Sequence, residues 1–565
     1  MGFKGIGAVL FKQAPPVSLL PATSRSLCEM LTEERVHSTE FIIARWDSEG
    51  HLFPERREEV RQHVVSLEEL QDLMRHLVKE DPHSELLVRA QILTEDSMKR
   101  LAKEFRRLLS AGLRLGLDID ESVHGYSSSP STPDRSRFSV QSDDDWEVND
   151  SGLEDCDRQG MAIELSDLRT IADSMISLGY AKECISSYKI VRKWVVEKDL
   201  YAEGLERPVI PSQIQKMDWK VLDAKIKRWL NAVNVAVKTV FPRERIWCEA
   251  LFPSSESRWR SCFAYITKDI VLTLFEFAAA VSRVKKSPEK IFRMLDMYEA
   301  VADLWLEIET TFSSDSKSTV QSRAADSLIK LGEAVRLTLV DFEMAIQKDS
   351  SKLTVQGGGV HPLTSYVMNY LVFLGDYSES LADILADWPL ELHGSSPEPL
   401  SNQVSDVSEE CGGTPSAITT RLAWLILVLL CKLDTKAQLY EDVALSYLFL
   451  ANNHQYIVAK VSNTTLRHVT GGEWITNHES KARGCAIKYE RIGWAKVLSS
   501  LQERRKAGIV EFNAAFKETF LRQASWVAPN QKLREEIRAS LAGKLLPANR
   551  RMHEARSPGA DRVCP

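Results

Sequence analysis

Two clusters in the sequence contain residues that could do chemistry, and the first of them is acidic. Asp143, Asp144 and Asp145 are consecutive and are followed by Trp146 and Glu147. Carboxylates in such a cluster could hold magnesium ions against a pyrophosphate, which makes a helical prenyl-diphosphate enzyme one hypothesis. Such a site needs a rigid, buried helix, whereas these residues lie in a serine-rich stretch. The residues therefore favour a solvated acidic linker over a metal site.

The second cluster is a run of glycines followed by a histidine and a proline. Gly357, Gly358 and Gly359 allow the backbone to bend freely, and Pro362 favours the first turn of a helix. His361 lies between them, without the basic neighbour that a phosphate site usually has. We interpret His361 as a residue that caps or packs a helix, in preference to a catalytic base or a ligand.

Familiar catalytic and cofactor motifs are missing from the sequence. It has no Gly-x-x-x-x-Gly-Lys-Ser/Thr phosphate loop, no Gly-x-Ser-x-Gly elbow and no His-Glu-x-x-His zinc motif. The formal net charge of -7 and the lack of a recognition motif argue against a nucleic-acid partner. We expect a protein that is not an enzyme and that binds neither a cofactor nor a metal.

The elements that must position these residues are constrained first by composition. The length of 565 residues is several times that of a typical domain of about 150 residues, so several cores or one elongated structure are expected. The 26 Gly and 21 Pro are fewer than strand-and-turn folds usually contain, which favours helix. The nine cysteines form no Cys-x-x-Cys pair, a pattern typical of reduced cytosolic thiols. The longest apolar run, Leu422 to Cys431, is about half the length of a membrane span of about twenty residues.

Acidic charge is concentrated in one segment of the chain. Residues 118–158 contain twelve acidic and three basic residues, so their net charge is -9 and that of the remaining chain is close to +2. The segment is rich in Ser and poor in apolar side chains, so little burial is available to offset the entropy of ordering it. We predict a linker over 116–160, and a flexible loop over 393–416, where Gly and Pro are crowded.

Elsewhere the apolar residues recur at helical spacing. The clearest run covers 165–178, where they recur every three or four positions, and Gly179 suits the C-terminal cap. A second helix begins after Tyr180, so the two should form an antiparallel hairpin. The same spacing predicts further helices at Leu222 to Val240, Ile270 to Val284, Ile291 to Phe312, Ala324 to Gln347, Leu439 to Val461 and Lys488 to Leu501. The patterns predict an all-α protein of consecutive antiparallel helical hairpins packed into bundles.

The segment around His361 resembles the most recognisable part of the plant branch of the Exo70 family, subunits of the exocyst vesicle-tethering complex. It reads GVHPLT over 359–364 and YVMNYL over 366–371. Other stretches agree with the family in the same order: Ser97 to Leu101 with Glu104-Phe105, Gly179 to Tyr188, Leu295 to Glu299, Leu448 to Leu450 with Asn452-Asn453, Tyr456 to Val458, Tyr489 to Arg491, and Leu533-Arg534 through Pro547-Ala548. The agreement spans about 39–550, and its joint order is more specific than any single stretch.

This resemblance implies an elongated rod of stacked helical bundles without catalytic activity, which helps to bring secretory vesicles to the plasma membrane before fusion. The implied partners are other exocyst subunits, small GTPases and anionic phosphoinositide membranes, and the implied location is cytoplasmic and peripheral at the plasma membrane. The signature residues then have a structural role: Gly359, His361, Pro362, Tyr366, Asn369 and Tyr370. The candidates for lipid binding are basic residues near the C-terminus, where residues 531–565 have a net charge of +4: Lys532, Arg534, Arg538, Lys544, Arg550 and Arg551.

The expected organisation follows from the patterns and the resemblance together. It comprises an N-terminal extension over 1–38, a helical segment over 39–115, the acidic linker over 116–160, a helical-bundle rod over 161–392, the loop over 393–416, C-terminal bundles over 417–550 and a divergent tail over 551–565.

Two departures from the family pattern limit what carries over. Ser365 stands where the family often has a basic residue. After Arg550 the sequence no longer follows the family, so we expect the terminal part of the rod to be missing and membrane affinity to be weakened. An alternative hypothesis is a truncated helical scaffold that binds signalling or defence partners outside a complete exocyst. The prenyl-diphosphate enzyme is the third and least supported hypothesis.

Overall fold

The regular structure of the chain is helical. A computed structural model describes residues 27–45, 57–111, 165–207, 210–312, 319–388, 417–501 and 508–554. No β-strand occurs in these ranges, so the predicted all-α fold class is confirmed. Among the described residues, no helix combines the length and the apolar content that crossing a bilayer requires. The acidic linker predicted over 116–160 and the loop predicted over 393–416 lie outside the described residues.

The helices of the first half begin inside the stretch that the sequence assigned to an extension, because the first of them starts at Leu27. They are α1 Leu27–Arg45, α2 Arg57–Glu80, α3 Glu85–Ala111, α4 165–177, α5 Ala181–Ala202, α6 Pro211–Lys216, α7 Trp219–Val235, α8 Phe241–Leu251, α9 Glu256–Val281, α10 Ile291–Asp303 and α11 Trp305–Thr311. A five-residue π-helical turn, Ala236–Val240, and a 3₁₀ turn, Pro288–Lys290, lie between them.

The described helices of the second half lie before and after the His361 segment in sequence. They are α12 Thr319–Lys348, α13 Pro362–Gly375, α14 Ser378–Ala386, α15 Ala417–Ala437, α16 Val443–Ser462, α17 Leu466–Thr470, α18 Gly472–Gly493, α19 Ala495–Ser500, α20 Gly508–Gln523 and α21 Gln531–Glu554. The chain divides into two compact units, one formed by residues 1–202 and 240–270 and the other by residues 203–239 and 271–565.

In the first unit, α1, α2 and α3 pack through a small apolar core that includes Val36, Leu70 and Ala90. The predicted hairpin between α4 and α5 is present. Gly179 has φ +92, a left-handed conformation that permits the tight turn without a Cβ penalty. The apolar face of α4 is buried as its spacing predicted.

The first unit also contains a buried ion pair. Arg192 of α5 donates from Nε to Glu244 Oε2 of α8 at 3.1 Å, and the two residues are 4% and 1% exposed. The Tyr188 hydroxyl donates to Glu244 Oε1 at 3.0 Å. Because the carboxylate is shielded from water, it depends on these donors, and removing one partner of such a pair typically costs about 3 to 5 kcal/mol.

In the second unit, α16 and α18 make the most extensive helix pair and share a core with α21. A Cβ added at Gly493 would lie 3.3 Å from the Ala444 Cβ, which shows how closely the two helices approach. The core contains Ala444, Leu448, Ala451, Ala486, Tyr489, Leu533, Ile537 and Leu541. Alanine on facing positions permits this short separation because the side chains occupy little volume.

Candidate functional site

The glycine-rich turn over 349–361, which joins α12 to α13, folds closely against two segments far away in sequence. Gly357 has φ +71 and Gly358 has φ +70, both in the left-handed region. A Cβ at Gly357 would lie 2.4 Å from the Ser525 carbonyl oxygen, and one at Gly358 would lie 2.8 Å from Leu445 Cδ1. Both positions favour glycine because of backbone conformation, and at Gly357 the contact with a backbone oxygen excludes a Cβ as well.

Asn453 of α16 holds the end of this turn. Its Oδ1 accepts hydrogen bonds from the His361 amide at 2.9 Å and from the Thr364 hydroxyl at 2.7 Å. Its Nδ2 donates to the Phe449 carbonyl at 2.7 Å and, over 3.3 Å, to the Gly359 carbonyl. Asn453 is fully buried, so its amide group has four protein partners and needs no water.

The preceding residue, Asn452, connects the same turn to the segment between α20 and α21. Its Nδ2 donates to the Gly358 carbonyl at 2.7 Å and to the Val527 carbonyl at 2.8 Å. The Val527 amide in turn donates to the Gly357 carbonyl at 2.9 Å. We refer to the turn, the two asparagines and Val527 as the asparagine clamp. In this clamp the asparagine side chains form hydrogen bonds with backbone amide and carbonyl groups of the turn.

His361 is the N-cap of α13, and Pro362 occupies the first helical turn. The His361 Nδ1 accepts a hydrogen bond from the Leu363 amide at 3.1 Å, and the residue is 3% exposed. Burial, assisted by the nearby Lys436 ammonium, lowers the pKa of His361, so the ring stays neutral as an acceptor must. The capping role predicted from the sequence is thus observed at Nδ1.

The remaining signature residues lie along α13 in different environments. Tyr370 is buried, with its ring 4.0 Å from that of Phe342, and burial raises the pKa of its hydroxyl far above the usual range. Tyr366 is half exposed and donates to Glu289 Oε1 at 3.1 Å. Asn369 is exposed. Only part of the signature therefore contributes to packing, although Tyr366, Asn369 and Tyr370 all lie on α13.

Two of the six predicted lipid-binding residues are neutralised by acidic partners. Lys532 donates to Glu479 Oε1 at 3.2 Å, and Lys544 donates to Glu490 Oε2 at 2.5 Å. Both lysines lie on α21 and both acids on α18. Since an ion pair has little net charge, these lysines offer less attraction to an anionic surface than isolated lysines would.

The other four basic residues also lie on α21. Arg534 donates to the Ala528 carbonyl at 3.2 Å and is half-buried. Arg538 and Arg550 are exposed, and neither makes an ion pair with another described side chain. Arg551 belongs to the helix, but its side chain lies outside the described residues. Arg538 and Arg550 are therefore the described cations of this set that a ligand can reach without breaking a pair.

Within the described ranges, no group of three or more His, Cys, Asp or Glu side chains is arranged to hold a metal ion. The aspartates at 143–145, on which the enzyme hypothesis depends, lie outside those ranges.

One exposed feature was not predicted from the sequence, an aromatic stripe on α20. Phe512, Phe516 and Phe520 follow one another at four-residue intervals, and the last two rings stack with centroids 6.5 Å apart. Phe520 is 60% exposed, as are Leu521 and Val510 to a similar or greater extent. The spacing of the three phenylalanines was the available signal, and it is indistinguishable from that of a buried helix face.

The described part of the chain is a protein of packed helical bundles. It contains the asparagine clamp and, in α21, a basic helix. Two family models match this chain. One describes the C-terminal part of the Exo70 exocyst complex subunit and matches residues 227–561, and the other describes the N-terminal part of exocyst complex component Exo70 and matches residues 36–111. The first alone covers more than half of the sequence. The chain belongs to the Exo70 family of exocyst subunits, as the resemblance at the sequence level had indicated.

Curated relatives from Arabidopsis thaliana are similar over most of the chain. Exocyst complex component EXO70B1 is 30% identical over 496 residues, which cover 84% of this chain and 76% of that protein. EXO70A1 is 32% identical and EXO70B2 is 33% identical, each over 68% of this chain, and the matches cover 60% and 62% of those two proteins. The similarity to plant members supports the plant type of the family.

The fold is also similar to solved structures. The crystal structure of the S. cerevisiae exocyst component Exo70p matches with a TM-score of 0.60 and 12% identity, over 93% of this chain and 94% of the yeast chain. A second structure of Exo70p, described together with the Exo84p C-terminal domains, matches with a TM-score of 0.56. At this identity the match concerns the fold alone.

Proposed function

We propose that the protein works as a non-enzymatic subunit of an exocyst complex and helps to bring secretory vesicles to the plasma membrane for exocytosis. The observation that carries this proposal is the match of the two Exo70 family models, over residues 36–111 and 227–561. A subunit of a tethering complex acts through its outer surface, and several modest contacts on one chain combine through effective concentration.

Affinity purification of the full chain from plant cells, followed by mass spectrometry, tests the assembly. Recovery of the other exocyst subunits together is the expected result. Their absence, with the chain folded and abundant, would favour the alternative of a helical scaffold for signalling or defence partners. Small GTPases are a further partner class within this proposal, and nucleotide-locked forms added to the purified chain would test them separately.

We further propose that α21 contacts the anionic, phosphoinositide-containing face of the plasma membrane, which would place the protein at the cytoplasmic side of that membrane. The exposed guanidinium groups of Arg538 and Arg550 support this contact. A basic residue close to an anionic leaflet contributes about 1 kcal/mol. Lys532 and Lys544 contribute less while they are paired with Glu479 and Glu490.

Liposome co-sedimentation with phosphatidylinositol bisphosphate tests this second part. Changing Arg538→Glu and Arg550→Glu together should weaken binding by at least about 2 kcal/mol, roughly thirtyfold in the partition coefficient. The matched control changes Arg323→Glu and Lys348→Glu, two exposed cations of α12, for the same change in total charge. Equal loss in both variants would show a general charge effect and contradict a role for α21.

A further inference from the structure

The turn between α9 and α10 presents a serine followed by a proline. The sequence contains six Ser-Pro or Thr-Pro pairs, and five of them lie outside the described residues. The sixth is Ser287-Pro288, and Lys290 follows two positions later. Proline-directed protein kinases recognise a serine or threonine followed by proline, and many of them prefer a basic residue at the third position after the acceptor. Ser287 to Lys290 satisfies both requirements.

Pro288 to Lys290 form a 3₁₀ turn that must open when a kinase binds, whereas Ser287 itself is already extended. Its φ and ψ are -149° and 152°, which is extended. Its side chain makes no capping bond to the 3₁₀ turn that follows, although serine is a favoured N-cap residue. The hydroxyl instead donates to Glu289 Oε2 at 2.9 Å on the exposed surface. Ser287 is half-buried, with its hydroxyl bond at the surface, and this hydroxyl is not needed to begin the helix.

The surroundings of Ser287 are basic and partly apolar. Lys285 is exposed and Lys286 is half-buried. Lys290 lies 5.2 Å from the centre of the Trp219 ring and donates to the Lys285 carbonyl at 2.8 Å. These side chains line one shallow recess with Val281, Val284 and Met294. Three ammonium groups within three positions of Ser287 would stabilise a doubly charged phosphate ester there.

We propose that Ser287 is the acceptor of a proline-directed serine/threonine kinase. In the reaction the Ser287 Oγ attacks the γ-phosphorus of ATP, and a new O–P bond forms. The bond from that phosphorus to the β,γ-bridging oxygen breaks and ADP leaves. The hydroxyl proton passes to the catalytic base of the kinase. The product is a phosphoserine with a charge of about -2 beside three lysines.

This modification would act on Glu289, and through it on α13. The esterified oxygen no longer donates to Glu289, and the phosphate repels that carboxylate. Glu289 Oε1 is the acceptor for the Tyr366 hydroxyl at 3.1 Å. Phosphorylation of Ser287 therefore breaks the hydrogen bond between Glu289, in the α9–α10 turn, and the Tyr366 hydroxyl. Glu289 and Tyr366 both lie in the second unit of the chain.

The first test measures phosphorylation of the folded full chain by a proline-directed kinase, with tryptic mass spectrometry. We expect Ser287 to gain one phosphoryl group, and we expect Pro288→Ala to reduce its occupancy at least tenfold. A synthetic peptide of residues 281–294 serves as the control for kinase activity. Phosphorylated peptide with an unmodified Ser287 in the folded chain would overturn the proposal, and so would failure of the peptide with a kinase that modifies a standard substrate.

The second test measures amide hydrogen exchange over residues 362–371 in the phosphorylated and unmodified chains. Loss of one hydrogen bond should increase exchange about fivefold near Tyr366. Tyr366→Phe should produce the same increase without phosphorylation, and phosphorylation of that variant should add little. Unchanged exchange in the phosphorylated wild type would refute the release of α13, whatever the occupancy at Ser287.

Discussion

Gly357 illustrates, at the scale of single residues, how conformation and contact combine to fix a residue type. Its left-handed φ alone would tolerate Asn or Asp at some cost, but the approach of the Ser525 carbonyl excludes any Cβ. The glycine run was recognisable in the sequence as a flexible turn. The Ser525 carbonyl that makes glycine obligatory could not be predicted, because Ser525 lies far away along the chain.

We predict that Gly357→Ala lowers the free energy of unfolding by roughly 2 to 5 kcal/mol, the sum of a left-handed backbone penalty and of overpacking. Urea unfolding monitored by circular dichroism measures it. The matched control is Gly471→Ala, because Gly471 has φ +81 but no atom within 4 Å of an added Cβ. That variant should lose only about 1 kcal/mol. Equal losses would show that contact with Ser525 is unimportant.

The asparagine clamp gives a second prediction for individual residues. Asn453→Ala removes the acceptor of the buried His361 amide and of the Thr364 hydroxyl, so we expect a loss of roughly 2 to 4 kcal/mol in the free energy of unfolding. Asn369→Ala is the control, because Asn369 belongs to the same signature but is exposed. It should change stability by less than about 0.5 kcal/mol. A small effect at Asn453 would mean that water replaces the lost amide.

The sequence predicted part of this arrangement and could not predict the rest. The cap at His361 was expected, since a glycine run, a histidine and a proline in that order indicate a helix start. Asn453 stood out only within the resemblance to the family. Its partner His361 is 92 residues away, and no local pattern reports a hydrogen bond over that separation.

At the scale of helices, apolar spacing located about half of the described elements but missed breaks inside some of them. The stretch from Ile291 to Phe312 was predicted as one helix, and the structure divides it at Leu304, where φ is -88° and ψ is 4°. No glycine or proline marks that position, and Leu304 itself is buried. Tertiary packing therefore decides the break. At Trp494 a similar break follows Gly493, so a local signal was available there.

The contact between α16 and α18 makes stability depend on pH. Burial lowers the pKa of His478 from 6.5 to about 4, and the pKa of its neighbour His454 is also lowered to about 4. Above pH 6.5 each ring is neutral in both states. Between pH 6.5 and about 4 the unfolded chain binds a proton that the folded chain does not. Stability therefore falls as the pH falls, by at most about 1.4 kcal/mol per unit and per histidine.

We predict that His478→Phe, which can keep the stack on Trp474, reduces by about one the number of protons that the chain takes up on unfolding in this pH range. Urea unfolding at several pH values between 7 and 5 gives the slope, and the wild-type slope should be steeper. His468→Phe is the control, because His468 is exposed on the adjacent short helix α17. An unchanged slope in His478→Phe would mean that His478 titrates normally in the folded protein.

At the scale of the whole molecule, the distribution of charge is uneven. The net charge of -7 arises from residues 118–158, which alone have a net charge of -9. The rest of the chain is therefore slightly basic, and α21 adds its exposed arginines. The charge asymmetry could be read directly from the sequence. Membership of the family could also be recognised from the sequence. The ion pairs that Lys532 and Lys544 make with acidic residues could not be predicted, because they depend on the packing of α18 against α21.

We predict that neutralising the acidic segment increases binding to anionic vesicles severalfold at low salt, because a repulsive charge is removed. Replacing its twelve acidic residues by Asn and Gln preserves the length of the segment. The difference from the wild type should shrink as ionic strength rises and the screening length shortens. Neutral vesicles of phosphatidylcholine are the control, and an equal increase on them would point to apolar adhesion instead.

The asparagine clamp also sets an order for events on the ribosome. The amide of His361 emerges long before Asn453 is synthesised, and Val527 emerges later still. A nascent chain that stops before Asn453 therefore keeps the His361 cap of α13 but leaves the His361 amide and the Gly359 carbonyl without their Asn453 partner. Premature termination in that interval therefore yields a product in which nothing from α16 holds the glycine turn against the start of α13.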